Sequence, residues 1–370
     1  MKRLLFIISN IDKSIGFEST ALHLSKQKYR QDFILLHTKE TEFERYLISS
    51  GFNVWRVFYS SKKDLISAIV SVFKIIKNRR YDIVHTHLFE ASLIGLLAAK
   101  LAKIKTRIHT RHHATLHHDR FPMAVYYDRY INYLSTDIVA PSENIYNILI
   151  NREKCDKAKV RIIHHGFDLD LFEKRNEQAI ERLKQKYNPA TKKPVIGVIS
   201  RYTEWKGIQF IIPAFKQLLV TYPNALLILA NARGDYSGEI KSLLSDLPDD
   251  SFREIEFEED VASLYHLFDV FVHVPIDLYS EAFGQIYVEA LAAGVPSIFS
   301  MSGIAKEFIV NQQNALVVEY KNSHEIHAAL VDILKNSSVR DGLVKKGRSS
   351  VSTLFELKKM ILGLEALYDK

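Results

Sequence analysis

The chain has 370 residues, 47% of them hydrophobic and 25% charged, a composition that excludes a disordered, collagenous or coiled-coil protein and leans towards two domains. A single cysteine, Cys155, excludes a disulfide framework and any multi-cysteine zinc site and suits a reducing cytoplasm. The net charge of +7 is uneven: residues 1–165 hold 27 Lys and Arg against 15 Asp and Glu, and eleven of the 15 histidines. Such an asymmetry points the first half towards an anionic membrane, or else marks a solvated basic surface. Nucleic acid is disfavoured, because the basic residues are scattered over helices and not set among aromatics along one groove.

In chain order, the opening Met1-Lys-Arg-Leu-Leu-Phe-Ile-Ile-Ser9 has too short an apolar run and no cleavage site for a signal peptide, so it reads as a first buried strand. Further strands are expected at 32–37, 53–58, 83–85, 106–110, 137–141 and 160–164, with helical patterns at 17–28, 63–77, 89–103, 124–134 and 142–151. The longest apolar stretch, 91–99, falls far short of the ~20 residues a membrane span needs. A charged segment at 168–193 interrupts this alternation, which restarts at Pro194. Strands then follow at 195–200, 225–230, 254–257, 270–274, 297–300 and 315–318, with helices at 207–220, 237–244, 260–268, 283–293 and 304–310. Apolar strands separated by helices predict an α/β protein with two doubly wound, Rossmann-like domains of parallel strands, and a site in the cleft between them. No short repeat or low-complexity tract is present.

Two stretches carry chemistry. In Tyr279-Ser-Glu281-Ala-Phe-Gly-Gln-Ile-Tyr-Val-Glu289, one carboxylate lies in a loop after a strand and the second lies inside the following helix. Phe283, Gly284 and Gln285 fall in the first helical turn, where N–H groups and the helix dipole favour phosphate. An ordinary helix entry with a Glu at its start is the plainer reading of the same spacing. In Val195-Ile-Gly-Val-Ile-Ser-Arg201-Tyr-Thr-Glu-Trp-Lys206-Gly207, two cations follow the carboxyl end of a strand. That is where α/β sheets bind ligands, although solvated loop cations would look alike.

Together these stretches resemble the retaining GT-B glycosyltransferases of family 4, the "glycosyl transferases group 1" type. The Glu-x7-Glu motif Glu281–Glu289 and the Arg-x4-Lys-Gly motif Arg201–Gly207 carry the resemblance. It is supported by Ile163-His-His-Gly-Phe-Asp168-Leu-Asp-Leu-Phe172 as a linker start and by a terminal helix at 355–368 that crosses back onto the first domain. It implies an acceptor domain at 1–166, completed by 352–370, and a nucleotide-sugar domain at 167–351. Glu281 would contact the donor sugar, Arg201 and Lys206 the diphosphate, and Glu289 the ribose. The amides of Phe283, Gly284 and Gln285 would lie near sugar and phosphate, and the backbone of Glu256, Phe257 and Glu258 near the base. His112, with His113 as the alternative, would face the reacting sugar. The loop after the first strand departs from the family's Gly-Gly pair, keeping only Gly16.

The resemblance implies a retaining transfer from a UDP- or GDP-linked sugar to a glycan or lipid-linked acceptor of a cell-surface polysaccharide. The enzyme is expected in the cytoplasm or on the inner face of the membrane, needing neither cofactor nor metal. A sugar-nucleotide epimerase of the same fold, or a non-catalytic binding protein, are the alternatives. His85, His87, His112, His113, His117, His118, His164 and His165 invite a metal-site reading, but no His-Glu-x-x-His is present and no carboxylate stands beside His85 and His87 at ligand spacing. Asp168-Leu-Asp170 has the form of a cation-binding pair but precedes a charged linker, where a turn or helix cap is expected.

Overall fold

The β-branched and leucine-rich runs pair side by side in parallel, and the segments between them coil over both faces. The computed structural model describes residues 1–370, which divide into two units, Met1–Phe167 with Leu357–Lys370, and Asp168–Glu356.

The first unit holds β1 (Lys2–Ser9), β2 (Tyr29–Leu36), β3 (Asn53–Val57), β4 (Ile83–His87), β5 (Thr106–Thr110), β6 (Asp137–Ala140) and β7 (Val160–Ile162). Their order is β3-β2-β1-β4-β5-β6-β7, and every pairing is parallel. Side chains of a strand alternate between faces, so β1 serves two cores. Leu4, Phe6 and Ile8 pack with Phe33, Leu357, Ile361 and Leu364, while Leu5 and Ile7 pack with Val72, Ile76, Ile94 and Ala98. The terminal helix Leu357–Tyr368 thus closes one face of the first sheet. Tyr368 hydrogen-bonds His85 Nδ1 at 2.7 Å.

The second unit holds β8 (Val195–Ile199), β9 (Leu226–Ala230), β10 (Phe252–Ile255), β11 (Val270–His273), β12 (Ser297–Phe299) and β13 (Leu316–Val317). The parallel order is β10-β9-β8-β11-β12-β13. The strand order therefore reverses between β8 and β11, paired at Ile196 and Val270, and between β1 and β4 in the first sheet. Beyond the carboxyl ends of strands flanking such a reversal the connections diverge and leave a crevice. Residues after β1, β4, β8 and β11 occupy these places.

Several expectations are corrected. The first helix runs Ile15–His23, capped by Ser14, so Gly16 lies in a helical turn and not in the loop. The second strand starts at Tyr29, three residues before the expected 32. Helix Glu42–Ser49 was not anticipated. The charged segment after 168 contains helix Glu177–Tyr187, which buries a narrow stripe of Ala179, Ile180 and Leu183. Residues 352–354 end helix Ser337–Leu354 of the second unit, and the returning helix begins only at Leu357. No helix is long and apolar enough to cross a membrane.

Candidate active site

After β8 the chain turns through Arg201 and a short 3-10 turn, Glu204–Lys206, into helix Ile208–Thr221. Gly207 makes that turn at φ +75°, and a Cβ there would lie 1.9 Å from the Val274 carbonyl oxygen. Only glycine allows the loop after β8 to press this closely on the end of β11. Ile276 N–H also donates to the Trp205 carbonyl at 3.1 Å. The two connections are thereby tied, and Lys206 is delivered to Glu281.

Lys206 Nζ lies 2.5 Å from Glu281 Oε1, and His273 Nε2, at the end of β11, lies 3.1 Å from the same oxygen. Glu281 N–H donates to Ser302 Oγ at 3.0 Å, fixing the loop that carries the carboxylate. Burial alone would raise the Glu281 carboxyl. The Lys206 charge and the His273 hydrogen bond outweigh it and hold the group at about 2, so it is a carboxylate at neutral pH. Burial lowers the His273 imidazole despite Glu281, which favours a neutral ring donating through Nε2.

Gly284, at φ +88°, precedes helix Gln285–Ala292. The expected start at 283 is therefore two residues too early, and Phe283 is a core residue whose ring stacks edge-on with Phe355 at 5.8 Å. Gln285 is exposed at the first turn, where the unpaired amides of a helix start point outward. Glu289 accepts a hydrogen bond from Tyr265 at 2.9 Å. Burial raises its carboxyl to about 7, against the weaker effect of that hydrogen bond. The two glutamates of one motif are thus held in opposite ionisation tendencies.

Arg201 is exposed, and its backbone carbonyl accepts Thr203 N–H at 2.9 Å. Tyr202, beside it, is wholly buried and donates to Glu254 at 2.9 Å. Glu256, Phe257 and Glu258 form the connection after β10. The Phe257 ring is exposed, whereas Glu258 is an anchor, accepting from Lys186 at 3.0 Å and Tyr187 at 2.6 Å.

In the first unit, His85 is a core residue, hydrogen-bonded to Thr110 at 2.7 Å on its other nitrogen, and not a group lining a cleft. His87 Nδ1 meets His112 Nε2 at 3.0 Å. His112 stacks on His165 at 5.6 Å, and burial, then the neighbouring histidines, push its pKa well below the ordinary value. His113 turns elsewhere, to Asp128 at 3.2 Å, with His117 on the same carboxylate at 2.8 Å. The sequence showed no such carboxylate, because Asp128 comes from the next helix. His113, His117 and Asp128 have the makings of a metal-ligand set. Arg111 already supplies a cation there, pairing with Asp128 at 3.0 Å and with Glu153 at 2.6 Å. The network pins the loop that presents His112. Asp170 pairs with Lys174 at 2.6 Å as the first residue of a helical turn whose cap position, Leu169, has no side-chain hydrogen bond, so the expected capping role is not seen.

His273, Ser302 and Tyr265 escaped the sequence reading. His273 alone left a trace, a polar residue at the end of an apolar strand eight positions before Glu281.

A family model described as "Glycosyl transferases group 1" matches residues 179–350, and "Glycosyltransferase Family 4" matches residues 17–171. The capsular polysaccharide biosynthesis glycosyltransferase CapM of Staphylococcus aureus is 25% identical over 316 residues, 84% of this chain and 81% of CapM. The UDP-Gal:alpha-D-GlcNAc-diphosphoundecaprenol alpha-1,3-galactosyltransferase of Escherichia coli is 22% identical, covering 83% and 79% of the two chains. The structure of Anabaena Alr3699/HepE in complex with UDP and glucose superposes with a TM-score of 0.86 over 100% of both chains at 17% identity. With motifs, sheet orders and both family models in agreement, this chain belongs to the group 1 glycosyltransferases of GT-B fold.

Proposed function

We propose that this enzyme is a retaining, metal-independent hexosyltransferase that uses a UDP- or GDP-linked sugar. Its acceptor is a hydroxyl of a glycan or lipid-linked saccharide destined for a cell-surface polysaccharide. The observation that carries the reading is the buried Lys206–Glu281–His273 cluster at the sheet reversal of the second unit, beside a helix start. Glu281, kept ionised, accepts hydrogen bonds from hydroxyls of the transferred sugar. Lys206 has three N–H donors and uses one on Glu281, so it can also serve the diphosphate with Arg201. The first-turn amides at Gly284 and Gln285 add to the charge stabilisation as the phosphate leaves. Glu289 takes the ribose hydroxyls, and the 256–258 backbone meets the base. His112, directed by Arg111 and its carboxylates, is the first unit's candidate for the group that meets the sugar. The acceptor attacks on the face the diphosphate leaves, and the departing phosphate oxygen takes its proton.

CapM and the Escherichia coli galactosyltransferase lend support for the acceptor class, and HepE, with its bound UDP and glucose, for the donor. The excess of basic residues in 1–165 suits a peripheral seat on an anionic membrane, where a lipid-linked acceptor resides. The test is product analysis with a panel of nucleotide sugars, with and without acceptor, reading released nucleoside diphosphate and the anomeric configuration of the product. Turnover of donor without acceptor into an epimer overturns the reading in favour of an epimerase, and an inverted product overturns retention.

Two expected results follow from the same arrangement. Turnover survives excess EDTA, because side-chain cations and amides meet the diphosphate. Loss of turnover that Mg²⁺ or Mn²⁺ restores would overturn metal independence. The second concerns Glu289. A ribose hydroxyl donates best to a carboxylate, so nucleotide binding lowers the Glu289 carboxyl from its raised value of about 7 and expels a proton. Calorimetry of binding of a nucleotide sugar, whose diphosphate does not titrate near pH 6.5, in buffers of different ionisation enthalpy should show more proton release in the parent than in Glu289→Gln.

A further inference from the structure

The first unit carries an apolar surface that the transfer reaction does not use. Helix Ala124–Leu134 turns Asp128, Ile131, Asn132 and Leu134 inward. Ile131 and Leu134 pack with Leu96 in a small core, and Asp128 is fastened by Arg111 at 3.0 Å. Its outward side holds Tyr126, Tyr130 and Tyr133, spaced as one helical stripe, with Tyr127 beside them. Just before the helix, Phe121 and Met123 stand out from the loop on either side of Pro122. These six side chains are 40–72% exposed. Buried ion pairs on the inner face hold the stripe in place, so it is presented ready-formed.

The charges around the stripe are one-sided. Among exposed residues from 100 to 135, Lys100, Lys103, Lys105, Arg120 and Arg129 are basic and Asp119 alone is acidic. Lys100 Nζ sits 4.2 Å over the Tyr133 ring, and Arg129 lies on the helix itself. A second copy of this chain laid face to face would oppose like charges. Anionic lipid headgroups would instead neutralise them while the aromatic rings settle at the interface, where tyrosine is favoured, and Phe121 and Met123 enter the acyl boundary.

We infer that residues 121–133 form the membrane-seating surface of this enzyme, binding anionic bilayers by a tyrosine stripe, an apolar tip and a basic margin. The inference rests on the proposed membrane seat and adds to it the surface and the apolar contribution. Charge alone would give binding that high salt abolishes. With the stripe inserted, part of the binding survives salt.

The test uses the full-length enzyme and vesicles of phosphatidylcholine with or without phosphatidylglycerol. The parent should co-sediment with the anionic vesicles and keep part of its binding in high salt. The variant Met123→Ser/Tyr126→Ser/Tyr130→Ser should lose about tenfold in partitioning and all of the salt-resistant part, with unchanged affinity by calorimetry for whichever of UDP and GDP the parent binds. In Met123→Trp, brominated lipid should quench fluorescence beyond the parent's level. If the parent binds anionic vesicles and both variants behave as the parent does, this inference falls and the electrostatic seat stands. If the triple variant alters only the oligomeric state, the surface is a protein interface and the inference also falls. If the parent ignores anionic vesicles, both fall.

Discussion

Glu281→Gln should lose about a hundred- to a thousandfold in turnover, the usual effect of removing one charge-directed contact made at the reacting group. Its affinity for the free nucleoside diphosphate should hardly change, because Glu281 is proposed to touch only the sugar. Glu289→Ala is the contrast. The ribose is common to donor and product, so both should bind more weakly, by the ~1.5–3 kcal/mol of a hydrogen bond to a charged group. Calorimetric titration of each variant with nucleoside diphosphate, beside steady-state turnover, separates the roles. Equal loss of product affinity in the two variants would show that the roles are misassigned. Glu281→Gln is the better variant than Ala, since it preserves the side chain's shape between Lys206 and His273.

Lys206→Met should damage both stability and turnover, with different pH dependences. The carboxyl of Glu281 is held at about 2 against an ordinary 4.5, a difference worth about 3 kcal/mol of folding stability. Because the folded-state value is the lower one, that stability is fully present above about pH 4.5 and is lost as the pH falls towards 2. Removing Lys206 leaves a buried carboxylate with His273 as its remaining partner within the cluster, which is costly at neutral pH and cheap once the acid is protonated. Unfolding free energies of parent and variant from denaturant titration should therefore differ at pH 7 by about 3 kcal/mol and converge in acid. The double variant Lys206→Met/Glu281→Gln should recover most of the stability and none of the turnover. A gap that persists in acid would mean that Lys206 stabilises by packing and not by charge.

The two-domain α/β architecture could be read in the sequence because its signal is local and repeated. Runs such as 4–8 and 195–199 hold no polar side chain, as a strand covered on both faces requires. The donor motifs could be read for the same reason, since Arg201–Gly207 and Glu281–Glu289 are each contiguous and each lie in or run on from the connection that follows a strand. The errors fell where local patterns compete. The segment 177–187 reads as linker because seven of its eleven residues are polar or charged, yet a stripe of three buried residues suffices to seat it. Phe283 falls in a first helical turn only if the helix starts at 283, but the helix begins at Gln285 and the Phe283 ring belongs to the core.

By itself the sequence determined which segments are strands of parallel, doubly wound sheets, where the chain changes unit, and which residues carry charge near strand ends. It could not determine which of those charges meet. That Lys206 meets Glu281 depends on Gly207 bringing the loop after β8 against β11. That His113 turns away to Asp128 while His112 meets His87 depends on a helix supplied from farther along the chain. Long-range contacts also set the ionisation. Glu281 and Glu289 have the same chemistry and sit in one motif, but only one has a buried cation beside it, so one is held at about 2 and the other raised to about 7. The helical period of 124–134 was likewise visible in the sequence. Which side of that helix faces outward was decided only when Asp128 paired with Arg111 and Ile131 packed with Leu96, because burial is a property of the packed fold and not of the segment.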